Sequence, residues 1–125
     1  MAAVALDADV VIGLLNADDA HHRQAVAFFE KRGDERMLMA MSAYAEILVG
    51  LIDKDRADLV DAVVQRARIE LVPMGKAIAV RAAKLRATHR ALRLPGAFGL
   101  ATALEHDAEL ITFDKRLHRI ATDLR

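Results

Sequence analysis

The chain has 125 residues, of which 54% are apolar and only 4% aromatic, and its 18 basic residues balance 18 acidic ones. A chain of this length forms one domain that buries about two-thirds of its unfolded surface. The absence of cysteine excludes disulfide scaffolds and cysteine-based zinc sites. The sequence shows no signal-peptide pattern and no membrane-spanning stretch. We therefore expect a single soluble domain over residues 1–125, located in the cytoplasm.

Short apolar runs alternate with amphipathic segments along the chain. Buried strands are predicted at residues 4–6, 37–41, 69–72 and 110–112. Helices are predicted at residues 10–15, from a cap at Asp18 or Asp19, from a cap at Ser42, and at residues 55–67, 76–90, 95–106 and 115–119. This alternation predicts a three-layer α/β/α domain whose short parallel sheet has about four to five strands, flanked by helices. The tail, residues 120–125, is either a further edge strand or a frayed end.

Acidic residues lie just beyond three of the predicted strands. Asp7 follows the first strand, Asp114 follows the fourth, and Glu46 lies one helical turn past the second. Ligands of open parallel sheets bind in the crevice at the carboxyl ends of the strands, so these three acids can converge there. A divalent cation would relieve their mutual repulsion, and an all-oxygen site selects Mg²⁺ or Mn²⁺ over zinc. Such a cation would activate a water for attack on a phosphate.

Each of these acids, taken alone, also fits an ordinary structural role. Asp7 can cap a helix, Glu46 can pair with Ser42 in a capping box, and Asp114 can belong to a turn. The combination of all three at strand ends favours a site.

A basic stretch precedes the last predicted strand. Between Leu71 and Leu104 there is no acidic residue, and the six bases are Lys76, Arg81, Lys84, Arg86, Arg90 and Arg93. The stretch fits a solvated helix face and a phosphate-binding surface equally well. The same two interpretations apply to Lys115 and Arg116 beside Asp114.

Four segments carry a resemblance to a known family: Leu6-Asp7-Ala8, Ala45-Glu46-Ile47-Leu48 with Gly50, Leu94-Pro95 followed by Ala101-Thr102-Ala103, and Thr112-Phe113-Asp114. They resemble the PIN-domain ribonucleases, and most closely the VapC toxins of bacterial toxin–antitoxin pairs. The resemblance spans nearly the whole chain. It is most specific between Leu94 and Asp114.

The resemblance implies a role for each matching acid. Asp7 and Asp114 would bind the metal, Glu46 would complete the acidic pocket or orient the water, and Thr112 would add a hydroxyl. The implied activity is Mg²⁺- or Mn²⁺-dependent endonucleolytic cleavage of RNA, restrained by a cognate VapB-like antitoxin. Possible RNA contacts are Arg81, Lys84, Arg90, Arg93, Lys115 and Arg116.

Gly96 departs from the family pattern, in which an acid that helps to hold the metal follows the Leu-Pro pair. Folding does not explain this glycine, because the first turn of a helix attracts negative charge and a helical glycine costs up to about 1 kcal/mol against alanine. The change can disarm a toxic nuclease, mark a natural degenerate toxin, or accompany a different set of acids. Asp9 is expected to face elsewhere and Glu105 lies too far along the helix, so we expect weak metal affinity and little cleavage.

Two other functions fit parts of the sequence. Asp7-Ala8-Asp9-Val10 after an apolar strand is also the opening motif of haloacid-dehalogenase-like phosphatases, where the first Asp is the nucleophile and the second the acid/base. Such enzymes need a later pair of acids, and here only Asp114 is available. A non-catalytic PIN-like module that binds RNA or a protein through the basic stretch is the closer alternative.

The helix predicted at residues 44–52 is apolar on nearly all sides, which indicates a partner surface. A homodimer contact, an antitoxin segment, or both would bury it.

Overall fold

The computed structural model describes residues 3–125, so the first two residues of the predicted domain 1–125 lie outside the described residues. Between Ala3 and Arg125 the four strands are Ala3–Leu6 (β1), Arg36–Ala40 (β2), Ile69–Val72 (β3) and Ala108–Ile111 (β4). The seven helices in the same range are Ala8–Leu15 (α1), His22–Arg32 (α2), Met41–Ile52 (α3), Asp58–Arg66 (α4), Lys76–Thr88 (α5), Leu94–Glu105 (α6) and Lys115–Asp123 (α7). Over these described residues, no helix has both the length and the apolar character needed to cross a membrane.

The strands form one parallel sheet in the order β3-β2-β1-β4. Val4 of β1 pairs with Met37 of β2 on one side and with Glu109 of β4 on the other. The chain extends the sheet from β1 through β2 to β3 and then returns to the opposite side of β1 for β4. This reversal is the topological switch point where open α/β sheets place their ligand crevice.

Alternate strand residues face opposite sides of the sheet, as the pleat requires. One face, including Ala5 and Leu38, packs on a core from the last three helices whose members include Leu85, Leu100 and Leu117. The other face, including Val4 and Met39, packs on a core from the earlier helices whose members include Val10, Ile47 and Val60. The predicted three-layer α/β/α architecture is confirmed, with four strands in the sheet.

The two alternatives predicted for residues 120–125 are both wrong, because helix α7 continues to Asp123. Leu117 and Ala121 are buried, and Ile120 packs beside them against the same core. Positions separated by three and four residues share one face of a helix, so this spacing gives α7 an apolar face.

Two predicted helix caps are also wrong. Ala40 is the N-cap of α3 and Ser42 lies inside the helix, where its Oγ is buried without a hydrogen-bond partner among the described residues. Helix α2 begins only at His22, although the Asp19 Oδ1 accepts a hydrogen bond from the backbone N–H of His21 at 2.8 Å. Helix α6 has Pro95 in its first turn, as predicted.

Candidate acidic site at the carboxyl edge of the sheet

Asp7 lies at the end of β1 and serves as the N-cap of α1. Its Oδ1 accepts a hydrogen bond from the Ala8 N–H at 2.9 Å, and its Oδ2 accepts one from the Thr112 hydroxyl at 2.7 Å. Burial raises the pKa of this carboxyl, the two hydrogen bonds oppose that rise, and the charge of Asp114 adds to it. Asp7 is therefore both a structural cap and a carboxylate held at the crevice.

Asp114 follows β4 and is the N-cap of α7. Its Oδ1 accepts a hydrogen bond from the Leu117 N–H at 3.0 Å, and its own backbone N–H donates to the Thr112 Oγ1 at 3.1 Å. The residue is exposed at the cavity wall. Asp7 and Asp114 thus contact the same threonine, one from each of two adjacent strand ends.

Thr112 joins the acids of β1 to the loop after β4. Its hydroxyl has one hydrogen, which is directed to the Asp7 Oδ2 at 2.7 Å, while the Asp9 Oδ2 lies farther away at 3.3 Å. The side chain therefore takes part in the acidic pocket as a hydrogen-bond link between carboxylates.

Asp9 faces the same cavity, which corrects the expectation that it faces elsewhere. Its Oδ2 accepts a hydrogen bond from the Phe113 N–H at 3.0 Å, and its Oδ1 is buried without a partner among the described residues. Burial and then the charge of Asp7 raise the pKa of Asp9 to about 6. The expectation failed because Asp9 lies in the first turn of α1, where side chains lean back toward the helix N-terminus and hence toward the strand ends.

Glu46 reaches the cavity from α3. Partial burial and then the charge of Asp7 raise its pKa, and the nearby positive charge of Arg93 opposes the rise. The residue is exposed. It therefore presents an accessible carboxylate from the helix that follows β2.

The first turn of α6 forms the facing wall of the cavity. A Cβ atom at Gly96 would lie 3.3 Å from the Leu92 Cδ1 and 3.4 Å from the Leu117 Cδ2. Both neighbours are methyl ends of flexible side chains, so a larger residue requires only a small shift of each. Gly96 lines the cavity but contributes no side chain to it.

The cavity has a volume of about 950 Å³ and is open to solvent. Its acidic lining residues are Asp7, Asp9, Glu46 and Asp114, and its basic ones are Arg93, Lys115 and Arg116. The other predicted RNA contacts lie outside it. Arg81 and Lys84 line a separate groove along α5, where Arg81 forms a salt bridge with Glu105 at 3.2 Å, and Arg90 is exposed.

Nowhere in residues 3–125 do three Asp, Glu, His or Cys side chains lie close enough together to hold a metal ion by themselves. The side chains of this cavity therefore do not form a complete metal coordination site by themselves. It is an acidic cavity with a basic rim, and this combination can accept a cation together with a phosphate.

His21 and Phe113 also line this cavity, and the sequence patterns indicate neither as a site residue. Their rings stack with centroids 4.8 Å apart and an interplanar angle of 21°. The residues are 92 positions apart in the chain, and no local pattern indicates that they meet.

The sequence model of the PIN domain matches residues 4–123. The fold is similar to a toxin–antitoxin complex from Klebsiella pneumoniae, with a TM-score of 0.77, 24% identity and coverage of 90% of this chain and 88% of that one. It is also similar to VapC20 from Mycobacterium tuberculosis, described as a sarcin-ricin loop cleaving toxin, with a TM-score of 0.78, 15% identity and 94% of both chains covered. VapBC-1 from nontypeable Haemophilus influenzae gives a TM-score of 0.71, 18% identity and coverage of 97% of this chain and 93% of that one.

No curated protein matches the chain by sequence. At these identities the solved structures establish the fold alone, whereas the sequence match over residues 4–123 establishes the family. This chain belongs to the PIN domain family.

Proposed function

We propose that the chain is the toxin of a type II toxin–antitoxin pair, an Mg²⁺- or Mn²⁺-dependent endoribonuclease that Gly96 weakens or inactivates. The observation that carries the proposal is the convergence of Asp7, Glu46 and Asp114 on one cavity at the switch point of the sheet. PIN domains are generally nucleases and generally use divalent metal ions. The toxin–antitoxin complex from K. pneumoniae and the RNA-cleaving M. tuberculosis toxin, both similar in fold, support the same class.

The residues present fit a hydrated divalent cation. Mg²⁺ is usually bound by one or two carboxylates and completes its octahedron with waters and substrate phosphates, so a three-residue cage is not required. Burial and mutual repulsion already raise the pKa values of Asp7 and Asp9, and a cation would lower this electrostatic cost. In this proposal Asp7 and Asp114 hold the cation.

A bound Mg²⁺ or Mn²⁺ would supply charge stabilisation to the phosphate and a water with a lowered pKa. Glu46 would orient that water and accept its proton, a role that suits an exposed carboxyl whose pKa is raised. Arg93, Lys115 and Arg116 would hold phosphate oxygens at the rim of the cavity. Thr112 would keep Asp7 in place through its hydrogen bond.

Gly96 leaves this proposed site one carboxylate short of the family pattern. The residue is the third of α6, where the helix dipole would favour an acid, and it lines the cavity. Asp9 belongs to α1 and its Oδ2 already accepts the Phe113 N–H, so it does not replace an acid on α6. We therefore expect weak metal affinity and little RNA cleavage from the chain as it stands.

Restoring the acid tests the proposal. Gly96→Asp should gain Mg²⁺- or Mn²⁺-dependent cleavage of RNA and should arrest growth on expression. Metal affinity should rise at least about tenfold. Removing a residue that only hydrogen-bonds to a metal ligand already lowers metal affinity by about that factor, and a direct ligand should matter at least as much. The measurements are cleavage of labelled RNA with and without EDTA, and the shift of the unfolding temperature on adding Mn²⁺.

Gly96→Asn is the matched control, since it has the same shape as Asp without the charge. It should show neither the cleavage nor the Mn²⁺-dependent shift. A folded Gly96→Asp protein that gains no cleavage would contradict the disarmed-toxin proposal.

The main alternative is a non-catalytic PIN module that binds RNA or a protein, and Gly96 is the observation that favours it. In that case Gly96→Asp would bind RNA as the wild type does and would cleave none. The haloacid-dehalogenase-like alternative based on Asp7 and Asp9 is not supported, because the family match covers residues 4–123.

The proposal includes two protein partners, a VapB-like antitoxin and a second copy of the chain. The apolar side chains of Val49 and Ile52 on α3 are 69% and 61% exposed, which supports a covered surface there. Light scattering that finds only monomer at every concentration would contradict the homodimer.

A further inference from the structure

Phe113 separates two cavities of opposite character. One is the acidic cavity described above, and Phe113 also lines a second cavity of about 510 Å³, within the range of ligand-binding pockets. The other residues that line the second cavity are Thr112, Lys115, His118, Arg119, Thr122 and Asp123. Lys115 and Phe113 contribute to both cavities, so the two adjoin at the N-terminal turn of α7.

Phe113 is anchored once through its backbone and once through its ring. Its backbone N–H donates to the Asp9 Oδ2 at 3.0 Å, and its ring stacks on His21 with a centroid distance of 4.8 Å. Both rings are only half-buried. An aromatic pair fixed in this way offers a preformed surface for stacking, which costs little entropy when a planar group binds.

The second cavity also carries basic groups on one helix face. Lys115, His118 and Arg119 are separated by three and four residues, so their side chains share a face of α7. Within residues 3–125 none of the three forms a salt bridge. Asp123 is the one acidic residue in the lining of this cavity.

We propose that Phe113, with His21 behind it, and the basic face of α7 form a subsite for one unpaired nucleotide of an RNA strand that leaves the acidic cavity. The base would stack on the aromatic pair, and the adjoining phosphate would contact Lys115 and Arg119. Single-stranded RNA is bound in this way, by aromatic rings that stack on bases beside cations that hold the backbone. The inference rests on the proposed function, because it requires RNA in the acidic cavity.

The subsite also gives Asp9 a positioning role. Its carboxylate holds the Phe113 backbone, and through it the ring, between the two cavities. This role is separate from any direct contact of Asp9 with a cation.

Binding of a labelled single-stranded RNA dodecamer to the full chain in EDTA tests the subsite without cleavage. Phe113→Leu, which keeps an apolar side chain and removes the ring, should weaken binding about 5- to 100-fold. Phe113→Tyr, which keeps the ring, should bind nearly as the wild type does. Arg119→Gln should weaken binding about 2- to 10-fold and lower the salt dependence by about one phosphate contact.

Arg66→Gln removes the same charge from an exposed position on α4, outside the basic stretch, and should leave the affinity within about twofold. Circular dichroism melts would confirm that each variant is folded. If the wild type bound the RNA and neither Phe113→Leu nor Arg119→Gln changed the affinity, the subsite would be overturned and the proposed function would stand. No RNA binding by the wild type would overturn the subsite, and the cleavage assay on Gly96→Asp would then decide the proposed function separately. Binding of a Glu-rich peptide is measured with the same variants. If Phe113→Leu and Arg119→Gln weakened peptide binding and left RNA binding unchanged, the surface would belong to an acidic protein partner and the subsite would be overturned.

Discussion

The two walls of the acidic cavity are built differently. On the strand wall, Asp7, Asp9, Thr112 and the backbone of Asp114 are joined by hydrogen bonds of 2.7 to 3.3 Å. On the helix wall, the first turn of α6 has no side-chain cap, and Gly96 meets only leucine methyl groups. One wall is an interlocked polar network, and the other carries no carboxylate.

This difference teaches that the fold holds the carboxylates of the strand wall in place without any acid on the helix wall. The hydrogen bonds of the strand wall hold its carboxylates without a cation, since each one also caps a helix or anchors a loop. Nothing in the packing of α6 requires an acid at position 96. A residue without a carboxylate at position 96 therefore leaves the rest of the cavity assembled.

The largest expected effect comes from breaking the strand wall at Thr112. Thr112→Val removes the hydroxyl that satisfies both Asp7 and the Asp114 N–H, and we expect a loss of about 1–3 kcal/mol in the free energy of unfolding. Urea denaturation measures the loss. Thr122→Val is the control, because its hydroxyl donates to the His118 carbonyl at an exposed position and its loss should cost less than about 0.5 kcal/mol. Equal losses in the two variants would contradict the idea of an interlocked wall.

A smaller effect is expected from the charge of Asp9. Its pKa is raised from 3.8 to about 6 by burial and then by the charge of Asp7. At pH values between these two pKa values the folded chain therefore binds more protons than the unfolded chain. The contribution of Asp9 to the free energy of unfolding therefore falls as the pH rises from about 4 to about 6. Above about pH 6 the full cost of burying the charged carboxylate is present. After discounting for partial exposure, Asp9→Asn should gain about 1–2 kcal/mol over the wild type at about pH 7.5 and little at about pH 4.

Urea denaturation at both pH values gives the comparison. Asp34→Asn removes an exposed carboxylate remote from the cavity and should follow the wild type at each pH. If Asp9→Asn had the same free energy of unfolding as the wild type at both pH values, the charge of Asp9 would not destabilise the folded chain, and the prediction would be contradicted. Mn²⁺ should reduce the advantage of Asp9→Asn if a cation binds nearby.

The smallest effect is expected on the helix wall. Gly96→Ala should change stability by between roughly 0 and 1 kcal/mol in the stabilising direction, because helix propensity favours alanine. The contacts of 3.3 and 3.4 Å with the Leu92 and Leu117 methyl groups offset part of that gain. Urea denaturation checks the value, and RNA cleavage should not increase. A clear destabilisation would show that the wall does not accept a side chain.

Sequence patterns are sufficient to predict the architecture and the region of the site. Short continuous apolar strands between amphipathic helices specify a layered parallel sheet, and such sheets bring their strand ends to one edge. Asp7, Glu46 and Asp114 can therefore be grouped from the sequence alone, and all three line one cavity in the folded chain. The grouping of basic residues is less complete, since Arg93, Lys115 and Arg116 line the cavity whereas Arg81 and Lys84 line another groove.

The direction of individual side chains is not predictable in the same way. The sequence predicts that Asp9 faces elsewhere, yet this residue bonds to Phe113, which is 104 residues away in the chain. The stacking of His21 on Phe113 has no local signal for the same reason. Side chains in first helical turns lean toward the strand ends, but the groups that they then meet depend on the neighbouring loops, which is a tertiary property.

The sequence by itself determined the α/β/α layers, the placement of three acids at strand ends and the presence of a glycine at position 96, where the proposed function expects an acid. These features depend on periodicity and residue identity, which are local. Only the tertiary structure decided that Asp9 belongs to the strand wall, that Phe113 lines two cavities, and that a side chain at position 96 would meet leucine methyl groups. Those facts depend on how β1, β4, α6 and α7 pack at one edge, because contacts between residues about a hundred positions apart exist only once the sheet has formed.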